Sequence, residues 1–205
     1  MKKRGKFIVF EGIDGSGKST QLKLLAEKMR SKGEKCHETL EPTYGMVGTL
    51  VHDILSKKVK ADPRVTAGLF VADRLDHLLN ETDGVVKKLN EGITVLCDRY
   101  YFSSYAYQGS EVPLEWVIDA NRLCADVIRA DYTIFIDVMP EVAMDRINQN
   151  RAETELFENV EKLTAVRNAY MAAFEMMKDK ENIIIIDGNK SVEEVTDAVE
   201  KAIIS

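Results

Sequence analysis

The stretch from Phe7 to Thr20, F-I-V-F-E-G-I-D-G-S-G-K-S-T, decides the fold of this chain. Its first four residues are apolar and predict a short buried strand, and a glycine-rich turn follows directly before a segment with helical periodicity. The turn matches the phosphate-binding loop G-x-x-x-x-G-K-[ST], whose glycines let the backbone fold around a polyphosphate so that N–H groups converge on its oxygens. Strand, loop and helix occur in the required order, which makes a chance glycine turn the weaker interpretation.

The loop positions have distinct chemical tasks. The helix that starts near Gly17 adds its positive end to the site. Lys18 is placed to reach the outer phosphates, and the Ser19 hydroxyl to ligate the Mg²⁺ that bridges them. The residues expected to hold the donor nucleotide are Gly12, Ile13, Asp14, Gly15, Ser16, Gly17, Lys18, Ser19 and Thr20.

Composition narrows the class of protein. A chain of 205 residues with 45% hydrophobic content can form one well-cored domain, expected here over residues 1–205. Its net charge of −6 argues against a nucleic-acid surface, because such surfaces neutralise phosphates with Lys and Arg. Cys36, Cys97 and Cys124 are widely spaced in apolar surroundings and suit reduced core thiols. With no signal-peptide pattern or membrane-length apolar run, a cytoplasmic location is expected.

Hydrophobic periodicity predicts strands that alternate with helices along the rest of the chain. A second strand is predicted at 34–39, and short β-rich runs predict strands at 94–97, 133–136 and 183–186. Helical spacing covers 46–55, 65–89, 114–128, 141–148, 156–178 and 192–204. Continuous apolar strands separated by helices indicate a parallel sheet covered on both faces. The predicted class is therefore α/β, a three-layer α/β/α fold of the phosphate-loop NTPase kind.

A second candidate site, D-R-Y-Y-F-S-S-Y-A-Y-Q-G, follows the strand at 94–97. An acidic group at the carboxyl end of a strand can reach the Mg²⁺ of a neighbouring phosphate loop, and an adjacent arginine can bind a second phosphate group. This combination suits phosphoryl transfer. Three predicted strands end in aspartate, however, so the pattern leaves Asp98, Asp137 and Asp187 open as the carboxylate on the metal side.

Five segments together resemble the thymidylate kinase family. They are the phosphate loop, E-P-T at 41–43, L-F-V-A-D-R at 69–74, the block at 98–109 and I-D-V-M-P-E-V-A at 136–143. They occur in the family's order over nearly the whole chain, and D-R-Y-x-x-S-S-x-A-Y-Q-G is specific to this family among phosphate-loop kinases. The resemblance implies phosphoryl transfer from ATP to dTMP with Mg²⁺, in a homodimer without a nucleic-acid or membrane partner.

The resemblance also implies roles by position. Phe70 would stack on thymine and Arg74, on the same helical face, would hydrogen-bond its edge. From the residues alone, helix core for Phe70 and a helix-face salt bridge for Arg74 are equally good interpretations. The implied substrate-binding residues are Glu41, Phe70, Arg74, Arg99, Ser103, Ser104, Tyr107 and Gln108. The implied catalytic residues are Asp14, Lys18, Arg99 and Arg151, and the implied metal-side residues are Ser19 and Asp98.

The chain departs from the family at two places. An arginine commonly precedes the E-P pair and helps to hold the acceptor phosphate, but this chain has Leu40. Either Arg99 does more of the binding of the acceptor phosphate, or another basic residue takes the place of the missing arginine. The loop also has Gly15 and Ser16 where one family subtype places a basic residue, so the catalytic cation is expected from a short mobile lid at about 146–157.

Arg151 is the predicted catalytic cation of this lid, and Arg146 is the other candidate. An ordinary polar turn between two helices remains the alternative to a lid.

Two other functional classes share part of the pattern. A deoxynucleoside kinase, or another nucleoside monophosphate kinase, would share the loop, but the former needs a carboxylate base and an E-R-S-like block, and Y-Q-G at 107–109 fits it poorly. A GTP-dependent switch requires N-K-x-D after a strand, and the nearest match, N-K-S-V at 189–192, lacks the aspartate. The choice between thymine and uracil monophosphates stays open.

Overall fold

A computed structural model describes residues 4–150 and 160–204 of the chain. Within these residues, five strands form one parallel sheet in the order β2-β3-β1-β4-β5. The strands are β1 Phe7–Glu11, β2 Cys36–Leu40, β3 Thr94–Asp98, β4 Tyr132–Asp137 and β5 Ile183–Asp187. The parallel sheet predicted from the apolar runs is confirmed.

Helices flank the sheet. They are α1 Lys18–Ser31, α2 Met46–Leu55, α3 Pro63–Leu79, α4 Val85–Asn90, α5 Tyr101–Tyr107, α6 Leu114–Val127, α7 Pro140–Asn150, α8 Val160–Met177 and α9 Val192–Ile204. Helices α1 and α9 pack against each other and the sheet, while α3, α5, α6 and α8 pack among themselves. This confirms the predicted α/β class with three layers. Among the described residues, no helix combines the length and apolar character needed to cross a membrane.

Strand β1 lies at the centre of the sheet, and every one of its residues is buried. Its apolar run Phe7–Phe10 is continuous because both faces of the sheet are covered. Phe10 pairs in register with Asp98 of β3, and Glu11 with Phe135 of β4. The phosphate loop therefore opens between the carboxyl ends of two neighbouring strands, where open α/β sheets bind ligands.

One prediction of secondary structure is wrong. The spacing predicts a single helix over 65–89, but α3 ends at Leu79 and α4 begins at Val85. The Asn80 side chain closes the intervening turn, because its Oδ1 accepts a hydrogen bond from the Thr82 N–H at 2.9 Å. Local turn chemistry thus outweighs the periodicity. Helix α5 was not predicted at all, since its aromatic residues show no amphipathic spacing.

The three cysteines are free thiols, as their spacing predicts. Cys97 and Cys124 are buried, and Cys36 is half-buried. Burial raises the pKa of each of the three thiols, which keeps them protonated and unreactive.

Candidate active site

The phosphate loop follows a path that glycine alone allows at two positions. Gly12 has a φ of 154°, and a β-carbon there would lie 2.6 Å from Ser16 Oγ and 2.9 Å from the Ile136 carbonyl oxygen. Gly15 has a φ of 77°, and its β-carbon would collide with the Ala143 carbonyl of α7. Gly15, in the Gly15-Ser16 stretch where one family subtype places a basic residue, therefore has no room for a side chain on this backbone path.

Lys18 and Ser19 occupy the first turn of α1, at the end of the loop. Lys18 Nζ donates to the Ile13 carbonyl at 3.3 Å and lies 3.9 Å from Asp14 Oδ1. Burial, with Arg99 nearby, lowers the pKa of Lys18. The Ile13 side chain is buried, so Ile13 contributes to the loop through its backbone and not through its side chain.

The sheet order brings one of the three candidate aspartates beside the phosphate loop. Ser19 Oγ donates a hydrogen bond to Asp98 Oδ2, and Asp98 Oδ1 is buried without a hydrogen-bond partner in the described part of the chain. Asp137 instead forms an ion pair with Arg167 at 2.6 Å, and Asp187 is exposed on β5 at the edge of the sheet. Hydroxyl and carboxylate oxygens are ligands that Mg²⁺ prefers, so Ser19 and Asp98 fit this ion.

Arg99 lies at the mouth of the loop, directly after β3, with a φ of 74°. Its guanidinium forms an ion pair with Asp14 and donates to Ser103 Oγ at 3.0 Å and to the Gly12 carbonyl at 3.4 Å. Tyr107 OH donates to the second Asp14 oxygen at 3.1 Å, and Arg99 lies over the Tyr107 ring, 5.0 Å from its centroid. Three residues predicted for the acceptor side, Asp14, Arg99 and Tyr107, therefore form one cluster.

A buried carboxylate that the sequence analysis missed supports this cluster. Glu11 is fully buried and accepts hydrogen bonds from the Tyr100 N–H at 2.9 Å, Ser103 Oγ at 2.6 Å and Tyr170 OH at 2.9 Å. Burial raises the pKa of Glu11, whereas these hydrogen bonds and Arg99 act to lower it. Ser103 therefore links Glu11 to Arg99. The feature of the sequence that could have indicated this role is the position of Glu11, an acidic residue at the end of an apolar strand.

Arg74 is buried inside a second polar cluster. Its Nε donates to Glu41 Oε2 at 2.6 Å, and its Nη1 donates to Ser104 Oγ at 3.2 Å and to Asn121 Oδ1. Asp73 is engaged elsewhere, so Arg74 forms a long-range ion pair rather than a salt bridge along its helix face. Three predicted substrate-binding residues, Glu41, Arg74 and Ser104, are thus brought together. Asn121 is a further member of the cluster that no sequence motif singles out.

His77 fixes the other side of Glu41. His77 Nδ1 lies 2.9 Å from Glu41 Oε1, and His77 Nε2 lies 2.8 Å from Thr39 Oγ1. Cys97 is close to both, but its thiol donates to the Arg99 carbonyl at 3.1 Å and its pKa is raised by burial. Because all these ligand atoms are already engaged with the protein, we interpret Glu41, His77 and Cys97 as a structural cluster rather than a metal site.

Phe70 and Gln108, the remaining predicted substrate-binding residues, both have partly exposed side chains. Phe70 lies one turn before Arg74 on α3, and Gln108 begins the short 3₁₀ turn that follows α5. Arg151 lies outside the described residues. Helix α7 runs to Asn150, so the first part of the predicted lid, from residue 146 to 150, is helical.

Two cavities adjoin the phosphate loop. The first, which we call the acceptor-side cleft, has a volume of about 520 Å³, and its walls include Asp14, Ser19, Asp98 and Arg99. The second, the donor-side cavity, has a volume of about 370 Å³, and its walls include Gly15, Ser16, Gln21, Arg146, Gly188 and Lys190. The two cavities are lined by different residues of the same loop and of α1.

Arg146 spans one wall of the donor-side cavity. Its Nη2 donates to the Gly188 carbonyl at 2.9 Å and its Nη1 to the Ser16 carbonyl at 3.4 Å, which ties α7 to both the loop and the segment after β5. A phosphate loop with a cavity on each side, oxygen ligands for Mg²⁺ and an arginine at its mouth defines the class: a phosphate-loop kinase that places two nucleotides end to end.

Comparison with known proteins identifies the family within this class. The family model for thymidylate kinase matches residues 10–199, and the chain belongs to the thymidylate kinase family. It is 36% identical over 201 residues to the thymidylate kinase of Ligilactobacillus salivarius, covering 94% of both chains. It is 37% identical over 192 residues to that of Thermosipho africanus, covering 92% of both chains. It is also 36% identical over 198 residues to the probable thymidylate kinase of Pyrococcus horikoshii, covering 94% of this chain and 92% of the other.

Proposed function

We propose that this enzyme transfers the γ-phosphoryl group of ATP to dTMP, giving ADP and dTDP, with Mg²⁺ as the cofactor. The observation that carries the proposal is the pair of arginine clusters beside the loop. Arg99 lies at the mouth of the loop, and Arg74 is held by Glu41, which lines the same cleft. One arginine suits the acceptor phosphate and the other the carbonyl edge of a pyrimidine.

The base subsite is built on α3. Arg74 is fixed by Glu41 and Asn121, so a thymine carbonyl meets a donor that is already oriented. Phe70, one turn earlier on the same helix, offers a flat apolar ring to the base. Ser104 and Gln108 lie on and after α5 and complete the proposed polar edge.

The phosphate groups are proposed to meet at the loop. Lys18 and the loop N–H groups hold the donor phosphates, and Arg99 orients the acceptor phosphate. Ser19 and Asp98 hold Mg²⁺, which neutralises charge on the donor phosphates. Asp14 lies between Lys18 and Arg99 and keeps both cations in place.

The engaged carboxylates of the cleft favour a monophosphate acceptor over a nucleoside. A phosphate monoester carries a charge of about −1.5 to −2 at pH 7, so it needs no general base. A sugar hydroxyl does need one. Asp14 is paired with Arg99, Glu41 with Arg74, and Asp98 accepts from Ser19.

A transfer assay over a panel of acceptors tests the proposal. The purified enzyme is given ATP and Mg²⁺ with dTMP, dUMP, CMP, AMP or thymidine, and the products are separated by chromatography. We expect dTMP to be phosphorylated at the highest kcat/KM and the reaction to stop with EDTA. Faster phosphorylation of thymidine would indicate a deoxynucleoside kinase, and hydrolysis of GTP without an acceptor would indicate a switch.

We propose a homodimer on the basis of a second observation. Large apolar side chains are exposed on the layer formed by α2, α3 and α6: Met46 is 91% exposed, and Leu50, Leu79 and Leu123 are also exposed. Large apolar side chains exposed on one layer of helices suit a subunit interface. Light scattering coupled to size exclusion should give twice the chain mass, and Leu123→Arg should shift it toward the monomer.

A cytoplasmic location is also proposed, because the three cysteines are free thiols and suit a reducing compartment.

A further inference from the structure

The acceptor-side cleft has a cation that the mechanism above does not use. Its lining includes the cations Lys18, Lys23 and Arg99. Lys18 lies under the loop and Arg99 is paired with Asp14. Among the described residues, Lys23 Nζ makes no ion pair or hydrogen bond, and the nearby carboxylate Glu38 is paired with Arg30 at 2.7 Å. The charge of Lys23 is therefore uncompensated and available to an anion.

Helix α1 presents different faces to the two cavities. Thr20 and Gln21 line the donor-side cavity, whereas Ser19 and Lys23 line the acceptor-side cleft. Ser19 and Lys23 are four residues apart and lie on one face. Helical side chains lean toward the N-terminus, so the Lys23 stem leans back toward Ser19 and the loop.

On the β2 side of the cleft, the two acidic residues Glu38 and Glu41 are paired with Arg30 and Arg74. Leu40, the last residue of β2, lines the cleft and supplies no charge there. An acceptor phosphate brings a charge of about −1.5 to −2 into a site that already contains the donor phosphates. Arg99 alone, shared with Asp14, leaves much of that charge without a partner.

We propose that Lys23 binds the phosphate of the acceptor nucleotide and supplies from α1 the positive charge that Leu40 does not supply from β2. The inference rests on the proposed function and names a further residue of the same site. Lys23 acts on the acceptor rather than the donor, because it lines the cleft that contains Arg99 and does not line the donor-side cavity.

Calorimetric titration with dTMP and with thymidine tests this role without requiring activity. Lys23→Met should weaken dTMP binding by about 10-fold, the scale for losing one charged hydrogen bond, and leave thymidine binding unchanged. Lys23→Arg should keep wild-type affinity for both. Lys28→Met is the matched control, since it removes the same charge from the same helix at a residue paired with Glu200. It should change neither affinity.

A compensating substitution sharpens the test. If the cleft needs one more cation and either wall can carry it, Leu40→Arg should restore dTMP affinity to the Lys23→Met variant. Equal losses for dTMP and thymidine in Lys23→Met, or no loss for either, would overturn the role of Lys23. Failure of the wild-type protein to bind dTMP would remove the proposed function together with this inference, whereas wild-type binding that Lys23→Met leaves intact removes only the inference.

Discussion

Arg74 and Glu41 form a buried ion pair between α3 and the segment after β2, with Arg74 Nε 2.6 Å from Glu41 Oε2 and side-chain exposures of 1% and 2%. The same two residues are proposed to build the base subsite, so their contributions to stability and to recognition are coupled. A substitution at Arg74 therefore cannot be interpreted from substrate binding alone.

We predict that Arg74→Leu lowers the free energy of unfolding by about 3–5 kcal/mol, because the buried Glu41 then loses its arginine partner and keeps only its contact with His77. Urea denaturation without ligand measures this loss. The double variant Arg74→Leu with Glu41→Gln should recover part of it, since the orphaned charge is removed as well. Near-native stability of Arg74→Leu would mean that water already solvates Glu41 in the cleft.

Long-range contacts explain which parts of this site the sequence could not predict. The loop and Lys18 follow from one local motif, and the central position of the strand before it follows from its apolar run. Arg74 and Asn121 are 47 residues apart, and Glu11 and Tyr170 are 159 residues apart, so no local pattern joins them.

The placement of Asp98 beside Ser19 likewise depends on the order of the strands in the sheet, which no local pattern reports. Three strands end in aspartate, and only the pairing of β3 with β1 places one of these residues beside Ser19. The break between α3 and α4 is a different case. Residues 80–84, N-E-T-D-G, contain no apolar residue, and the turn that Asn80 closes there is a local feature that the helical spacing of the flanking segments does not report.

Lys18→Ala should lower kcat by roughly 10²-fold or more, the scale for losing one positioned cation in phosphoryl transfer. Among the described residues, the polar contacts of Lys18 Nζ are one hydrogen bond to the Ile13 carbonyl and the 3.9 Å approach to Asp14, so the fold should survive. Steady-state kinetics and circular dichroism on the same preparation give both results. Wild-type turnover in a folded variant would exclude Lys18 from the mechanism.

Asp98→Asn should raise the Mg²⁺ concentration needed for half-maximal activity by about 10-fold or more, because one of two proposed oxygen ligands loses its charge. Asp187→Asn is the matched control. It alters an aspartate at the end of a strand in the same sheet, but an exposed one on edge strand β5, and should leave the Mg²⁺ requirement unchanged. Equal effects of the two substitutions would mean that the metal is not held at β3.

Gly15→Ala should destabilise the protein by more than Gly33→Ala does. Both glycines have nearly the same φ, 77° and 78°, so both substitutions carry a backbone penalty of about 1–2 kcal/mol. A β-carbon at Gly33 meets no atom within 4 Å, whereas at Gly15 it meets the Ala143 carbonyl. The difference between the two unfolding free energies isolates this steric contact, and equal values would mean that α7 shifts to accept the methyl group.

The last prediction concerns the catalytic cation, which we expect from another segment because Gly15 has no room for a side chain. We predict that Arg151 supplies it, and that Arg151→Ala lowers kcat and kcat/KM together by about 10³-fold, as for a cation needed only in the transition state. Dissociation constants for ATP and dTMP should stay near the wild-type values. Arg146→Ala should behave differently. Arg146 donates hydrogen bonds to the Gly188 and Ser16 carbonyls beside the donor-side cavity, so its loss should weaken ATP binding more than it lowers kcat. A large fall in kcat for Arg146→Ala alone would assign the catalytic role to Arg146, and unchanged kcat in both variants would exclude an arginine from this segment.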